Sequence, residues 1–337
     1  MKSIIGAAWI MCPLLVAGCH SANEVVEVQL PRVSVTVTRL QHLGTGEGHY
    51  HVWASFLQFD KRSGDSPTHT GPFESLGTFN VAAGDSTTYA ADGSPARFTI
   101  PEGENAQLLD DVVVTIDRDT DIPDVSLTGS ILIGGKFHGD ATVALADLDV
   151  SYIDAFRSDF SAVSGKYTIV APTSPADSNS GIWFVERQGT TTIAGLRNLP
   201  ALPSGWMYEG WIGNYLTPEP GPGFFTYFST GRFLRADSAD FDGAGTGRGP
   251  GAGFNFPGQD FINSTGPGTP VRPDLRLFVF MVTIEPDPDN SPRPFSLALL
   301  STPLPATPLP QGQTLLMNNV SSSSFPQGRV RIVRSGY

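Results

Sequence analysis

The chain has 337 residues, long enough to bury two hydrophobic cores, and its 37 glycines and 28 prolines exceed what a helical bundle tolerates. Its net charge of −12 argues against a nucleic-acid binder, which needs a basic face to displace counterions, and against lying on anionic lipid. Its two cysteines, Cys12 and Cys19, stand near the N-terminus, so the rest of the chain has no disulfide, no cysteine nucleophile and no Cys-ligated zinc.

In chain order, Met1-Lys2 gives a short basic start and Ile4 to Val16 a mostly apolar run. That run is too short to span a bilayer and reads as an export signal. Val16-Ala17-Gly18-Cys19 follows and resembles the bacterial lipobox. The resemblance implies that residues 1–18 are a signal peptide cut before Cys19, that Cys19 is lipidated, and that residues 19–29 form a lipidated tether. The expected place is the cell envelope, outside the cytoplasm, with the membrane as a partner through the N-terminal lipid. His20 in place of the Asp of an inner-membrane retention signal favours the outer membrane in a cell with two membranes.

Past the tether the apolar residues come in short runs. Val33-Ser34-Val35-Thr36-Val37-Thr38 alternates with the period of a half-buried strand. Val112 to Ile116, Gly165 to Val170, Gly181 to Val185 and Leu277 to Val282 read as further strands. One short helix is expected from Asp154 to Ala162. The chain is therefore expected to be all-β.

An internal repeat organises it. Leu40-x-x-Leu43 with Tyr50-x-x-Trp53 returns as Leu196-x-x-Leu199 with Tyr208-x-x-Trp211. Ser75-x-Gly77-x-Phe79 returns as Ser229-x-Gly231-x-Phe233, and Val114-Thr115-Ile116-Asp117 as Val282-Thr283-Ile284-Glu285. The blocks keep their order and only the spacers change length, as loops on a preserved strand framework allow. The expected architecture is two tandem related β-sandwich domains after the signal peptide: residues 30–148, a linker at 149–165, and residues 166–337.

Gly195-Leu196-Arg197-Asn198-Leu199-Pro200, Tyr208-Glu209-Gly210-Trp211, Ser229-Thr230-Gly231-Arg232-Phe233 and Val282-Thr283-Ile284-Glu285-Pro286 together resemble the C-terminal domain of anti-sigma-K factors. The resemblance covers roughly residues 166–303, and residues 30–137 more faintly. It implies an extracytoplasmic β-sandwich. Those factors carry a sigma-binding segment and a spanning helix before this domain. Here the signal alone precedes the domains, so no direct sigma-factor binding is expected.

Candidate chemistry is sparse. Glu209 matches His51 in the first copy, which speaks against a proton-transfer role, and Trp53 and Trp211 read as large packing residues. His49-x-His51 puts two imidazoles on one strand face, a metal-binding spacing to which His42 or His69 would add a third ligand. Asp117, Asp119 and Asp121, and in the second copy Glu285, Asp287 and Asp289, offer alternating oxygen ligands suited to calcium, although neither loop continues as an EF-hand. Asp237, Asp240 and Asp242 are similar in type. Gly243 to Gly249 lacks the ending of a phosphate loop. A Ser-His-Asp set has no motif to mark it. Phe224, Phe225, Tyr227 and Phe228, in a loop-rich segment from Tyr215 to Pro270, are candidates for a contact surface. The resulting expectation is a non-catalytic binding or interaction module meeting an envelope protein or glycan. The alternatives are an envelope hydrolase acting on glycan or peptide, and a structural surface spacer.

Overall fold

The computed structural model describes residues 31–59, 67–82, 87–90, 92–118, 127, 129–138, 145–173, 175–215, 225–241, 255–261, 274–289 and 291–333. The signal, Cys19 and the tether lie outside them. The chain is all-β. Its strands are β1 (Arg32–Thr38), β2 (His49–Phe59), β3 (Pro67–Val81), β4 (Thr88–Ala90), β5 (Arg97–Thr99), β6 (Leu109–Asp117), β7 (Ser130–Lys136), β8 (Leu145–Leu148), β9 (Gly165–Ile169) and β10 (Ile182–Trp183). There follow β11 (Val185–Gln188), β12 (Thr191–Ala194), β13 (Trp206–Tyr215), β14 (Phe225–Phe233), β15 (Gly258–Gln259), β16 (Val279–Pro286), β17 (Ala298–Ser301), β18 (Thr314–Asn319) and β19 (Gln327–Val333). Among the described residues the α-helix content is one turn, α1 (Ser321–Ser324).

The first copy places a five-stranded sheet, β4-β3-β2-β6-β7, against a four-stranded one, β5-β1-β19-β8. The alternation in β1 works as its sequence implies: Val33, Val35 and Val37 are buried, while Thr36 and Thr38 are exposed. They meet Tyr50, Val52 and Ala54 of β2 and Val112 and Val114 of β6 in one core. The second copy is built differently. Eight of its strands form one sheet, β14-β13-β16-β17-β18-β9-β10-β15, curled so far that the edge strands β14 and β15 touch, while β11 and β12 pair as a separate hairpin. The eight-stranded sheet is close to a barrel rather than a pair of separate sheets.

The difference lies at one joint: β17 pairs with β18 in the second copy, whereas among the described residues the β7 and β8 segments of the first meet at isolated bridges, Gly134–Asp149 and His138–Leu145. The copies differ again at β19. In the second copy β18 pairs directly with β9. In the first, the C-terminal strand β19 is inserted between β8 and β1 and bonded to both. The division of the chain at residue 166 therefore does not divide the structure, because residues 327–333 complete the first copy.

Residues 149–165 are not a spacer either. Val150, Ala155, Phe156, Phe160 and Val163 are buried, and the Phe156 ring centre lies 4.9 Å from that of Trp206. The helix expected from Asp154 to Ala162 is absent. Arg157 and Phe160 both sit at φ 58, the left-handed region, which breaks a right-handed helix and turns the aromatic side chains into the seam. The two copies are joined further by Trp206 Nε1 donating to Ile131 O at 3.2 Å and Ser130 Oγ to Gly205 O at 3.1 Å.

Candidate functional site

The face of β2 opposite the core carries His49, His51 and Trp53. Register with β6 sets His51 across from Thr115 and His49 across from Asp117. On the other side, the ladder to β3 shifts between Val52 and Trp53, which leaves Leu76 as the extra residue and sets Ser75 across from Trp53. Gly77 ends this bulge at φ 135, and a Cβ there would come within 2.8 Å of the Phe98 ring.

Five side chains join in one hydrogen-bonded row. Trp53 Nε1 donates to Thr115 Oγ1 at 3.0 Å, and Thr115 Oγ1 to Asp117 Oδ1 at 2.5 Å. Asp117 Oδ2 is 2.8 Å from His51 Nδ1, and His51 Nε2 is 2.7 Å from Ser75 Oγ. His51, Thr115 and Asp117 are buried. With Asp117 ionised, Nδ1 carries the proton toward it and Nε2 accepts from the serine hydroxyl, which satisfies every polar atom in the row.

The second copy fills the same positions with different chemistry. Trp211 Nε1 donates to Thr283 Oγ1 at 2.9 Å, and Thr283 Oγ1 donates to Glu285. Glu209 stands where His51 does, across from Thr283, and accepts from Ser229 Oγ. Glu285 also receives the Phe295 N–H at 2.9 Å. Burial pushes the Glu285 carboxyl up to about 8, against the Thr283 and Phe295 hydrogen bonds, with the charges of Asp289 and Glu209 adding to the rise. The inward partners match as well. Tyr50 stacks on Phe79 at 5.3 Å and donates its hydroxyl to Gln41 O at 3.0 Å; Tyr208 stacks on Phe233 at 5.8 Å and donates to Pro200 O at 2.8 Å.

Ser75, His51 and Asp117 stand in the atom order of a serine nucleophile, its base and the carboxylate that orients the base. Ser75 is half-buried and lines a shallow groove of about 620 Å³ with Trp53, Phe73, Leu76 and Pro101. A metal could use part of the same cluster, since the ligating atoms of His49, His51 and Asp117 lie within 4.8 Å of one another. Both ring nitrogens of His51 already have partners, so a cation would have to displace Asp117 or Ser75. Of the histidines expected to add a third ligand, His42 is turned to Val81 O at 2.7 Å, and His69 lies on β3 across from Gln58.

The acids of the two loops are placed as follows. Asp117 and Glu285 are strand residues inside the two rows. Asp287 Oδ1 accepts from Arg232 Nη1 at 3.0 Å, and Asp289 accepts the Ser291 N–H at 2.7 Å. Burial raises the Asp289 carboxyl, Arg232 opposes the rise, and Glu47 adds to it. Asp119 and Asp121 lie outside the described residues. Of the third acidic group, Asp237 pairs with Arg235 and Asp240 is buried under the Gly258 N–H, while Asp242 lies outside.

Of the four aromatic residues expected to form a contact surface, Tyr227 and Phe228 take opposite faces of β14. Phe224 lies outside the described residues and Phe225 opens β14. Phe228 packs on the core, whereas Tyr227 meets Trp211 edge-on at 6.5 Å on the opposite side of the strand. Alternation along a strand makes this unavoidable. The Ser75–His51–Asp117 relation escaped sequence reasoning because it joins three strands. Its one sequence signal was the recurrence of Ser-x-Gly-x-Phe, which repeats the serine in both copies.

No family model, no curated protein and no solved structure matches the chain. No helix among the described residues is long and apolar enough to cross a membrane.

Proposed function

We propose that this protein is a lipid-anchored module of the cell envelope that acts by binding rather than by catalysis. One observation carries the reading. Polar side chains fill the same buried positions in both copies, yet the central residue is His51 in one and Glu209 in the other. A row that accepts either an imidazole or a carboxyl serves the framework, tying three strands together across the face opposite the core. The Val16-Ala17-Gly18-Cys19 motif supports the anchor, and the likeness of residues 166–303 to an extracytoplasmic domain supports the compartment. The expected partner is an envelope protein or glycan.

The test has two parts. Fatty-acid incorporation by the full chain should be abolished by Cys19→Ser; incorporation that survives removes the anchor. Capture of partners from detergent-solubilised envelope should be unchanged by Ser75→Ala, because a binding module does not need a nucleophile.

A second reading rests on the Ser75–His51–Asp117 geometry: an envelope hydrolase with Ser75 as nucleophile, acting on an ester or amide bond of a glycan or peptide. A fluorophosphonate probe decides it. Labelling that disappears in Ser75→Ala and falls in Asp117→Asn favours the hydrolase, and an unlabelled wild-type chain eliminates it.

A further inference from the structure

The chain is acidic overall, but its charge is not evenly spread. The outward face of the four-stranded sheet carries Arg97 on β5, Arg32 on β1, and Arg329 and Arg331 on β19, with Ser34, Thr36, Thr38 and Gln327 between them. Register places Ser34 between Arg97 on one side and Arg331 on the other, and Arg32 is the next outward residue along β1. Two carboxylates share the face. Asp147 pairs with Arg329 at 2.7 Å and also feels the charge of Arg331, and Asp149 accepts the Ser151 N–H. Among the described residues, no carboxylate forms an ion pair with Arg32, Arg97 or Arg331. The face is concave, with a hollow of about 660 Å³ over β1, β19 and β8.

We infer that this sheet face docks on the anionic phosphate headgroups of the membrane to which the chain is tethered. The proposal rests on the lipid anchor proposed above. Three observations favour a membrane as the occupant. The three guanidiniums outside ion pairs are complementary to phosphate, which arginine binds in a forked geometry. They gather where β1 begins, the end of the sheet from which the chain leads back to Cys19. The stretch between Cys19 and Arg32 reaches at most about 45 Å even when fully extended, so the anchor keeps this end of the sheet near the bilayer and raises the effective concentration of headgroups at the face. The acidic remainder is repelled by the same surface, so the arginine face sets which side of the protein turns toward the lipid and which toward the partner.

The mature chain has Cys19 as its sole cysteine, so a cysteine introduced into the lipidated protein is a unique labelling site. Thr36→Cys on the docking face and Leu316→Cys on β18, 73% exposed, would carry a fluorophore in protein reconstituted into phosphatidylcholine vesicles with or without phosphatidylglycerol. Headgroup-linked quencher should quench the Thr36 label at least threefold more than the Leu316 label, only when phosphatidylglycerol is present. Combined Arg32→Glu, Arg97→Glu and Arg331→Glu should abolish the difference, with the thermal midpoint confirming that the fold survives. Equal quenching of both labels, or quenching indifferent to headgroup charge, overturns the proposal. A separate arm uses the Cys19→Ser chain and sedimentation with phosphatidylglycerol vesicles at low salt. Arginine-dependent binding there upholds the face even if lipidation fails. Retention by a uronate-rich polysaccharide without vesicle binding assigns the face to glycan and rejects the membrane.

Discussion

Thr38 and Gln327 lie opposite each other across β1 and β19, and the Thr38 hydroxyl donates to the Gln327 carbonyl at 3.1 Å although 289 positions separate them. The last of the described strands therefore completes the sheet that the first of them begins. This contact sets the order in which parts of the molecule should lose structure.

Removal of residues 327–337 would strip β1 and β8 of their shared neighbour and expose rows of unpaired backbone groups, along with the space Val330 fills. Several backbone hydrogen bonds and one buried valine amount to a loss on the order of 5 kcal/mol. Hydrogen exchange should show lost protection in Arg32–Thr38 and Leu145–Leu148 while Tyr208–Trp211 stays protected. Retained protection in β1 would mean that the first copy folds without β19.

Tyr50 and Tyr208 each hold a loop by one hydroxyl-to-carbonyl bond. Tyr50→Phe and Tyr208→Phe should each cost about 1 kcal/mol, read from the denaturant midpoint at unchanged slope. A large cost in one copy and none in the other would count against equivalent roles.

Replacing His51 tests the row in the first copy. His51→Leu leaves buried Asp117 and half-buried Ser75 short of a partner and should cost about 3 kcal/mol. His51→Glu places there the carboxyl that the second copy uses, beside Asp117. It should recover much of that loss near pH 5, where the two acids can share a proton, and little near pH 8. Thermal melts of both variants at the two pH values measure this. Equal stability of His51→Glu at both would reject the shared proton.

Glu285 gives the wild-type chain a pH dependence of the same sign. Its carboxyl titrates near 4.5 when unfolded and at about 8 when folded. Between those values the folded state holds a proton that the unfolded state has released, so this contribution is full below pH 4.5 and is lost as pH rises through 8. Differential scanning calorimetry should find the midpoint falling from pH 5 to pH 8. Glu285→Gln, which keeps a neutral hydrogen-bonding side chain, should flatten the slope. An unaltered slope in that variant would place the titrating group elsewhere.

Much of the fold was legible beforehand because it follows from period. Val33, Val35 and Val37 announce a strand with one buried face, and the Tyr-x-x-Trp blocks announce its repetition. The helix expected at Asp154 to Ala162 does not form, because left-handed residues there steer Phe156 and Phe160 inward into a buried seam. The Ser75–His51–Asp117 row was not legible, since its members lie on separate strands brought into line by a bulge.

The sequence by itself determined the all-β class, the acidic balance, the lipobox-like motif and the written-twice strand framework, because alternation, composition and short motifs are local properties. Tertiary structure alone decided that β19 returns to the first copy, that the second copy curls into one sheet, and that four arginines gather on a single face of an acidic chain. Each of these depends on register between strands far apart in the chain, and register is set by which faces must be buried together.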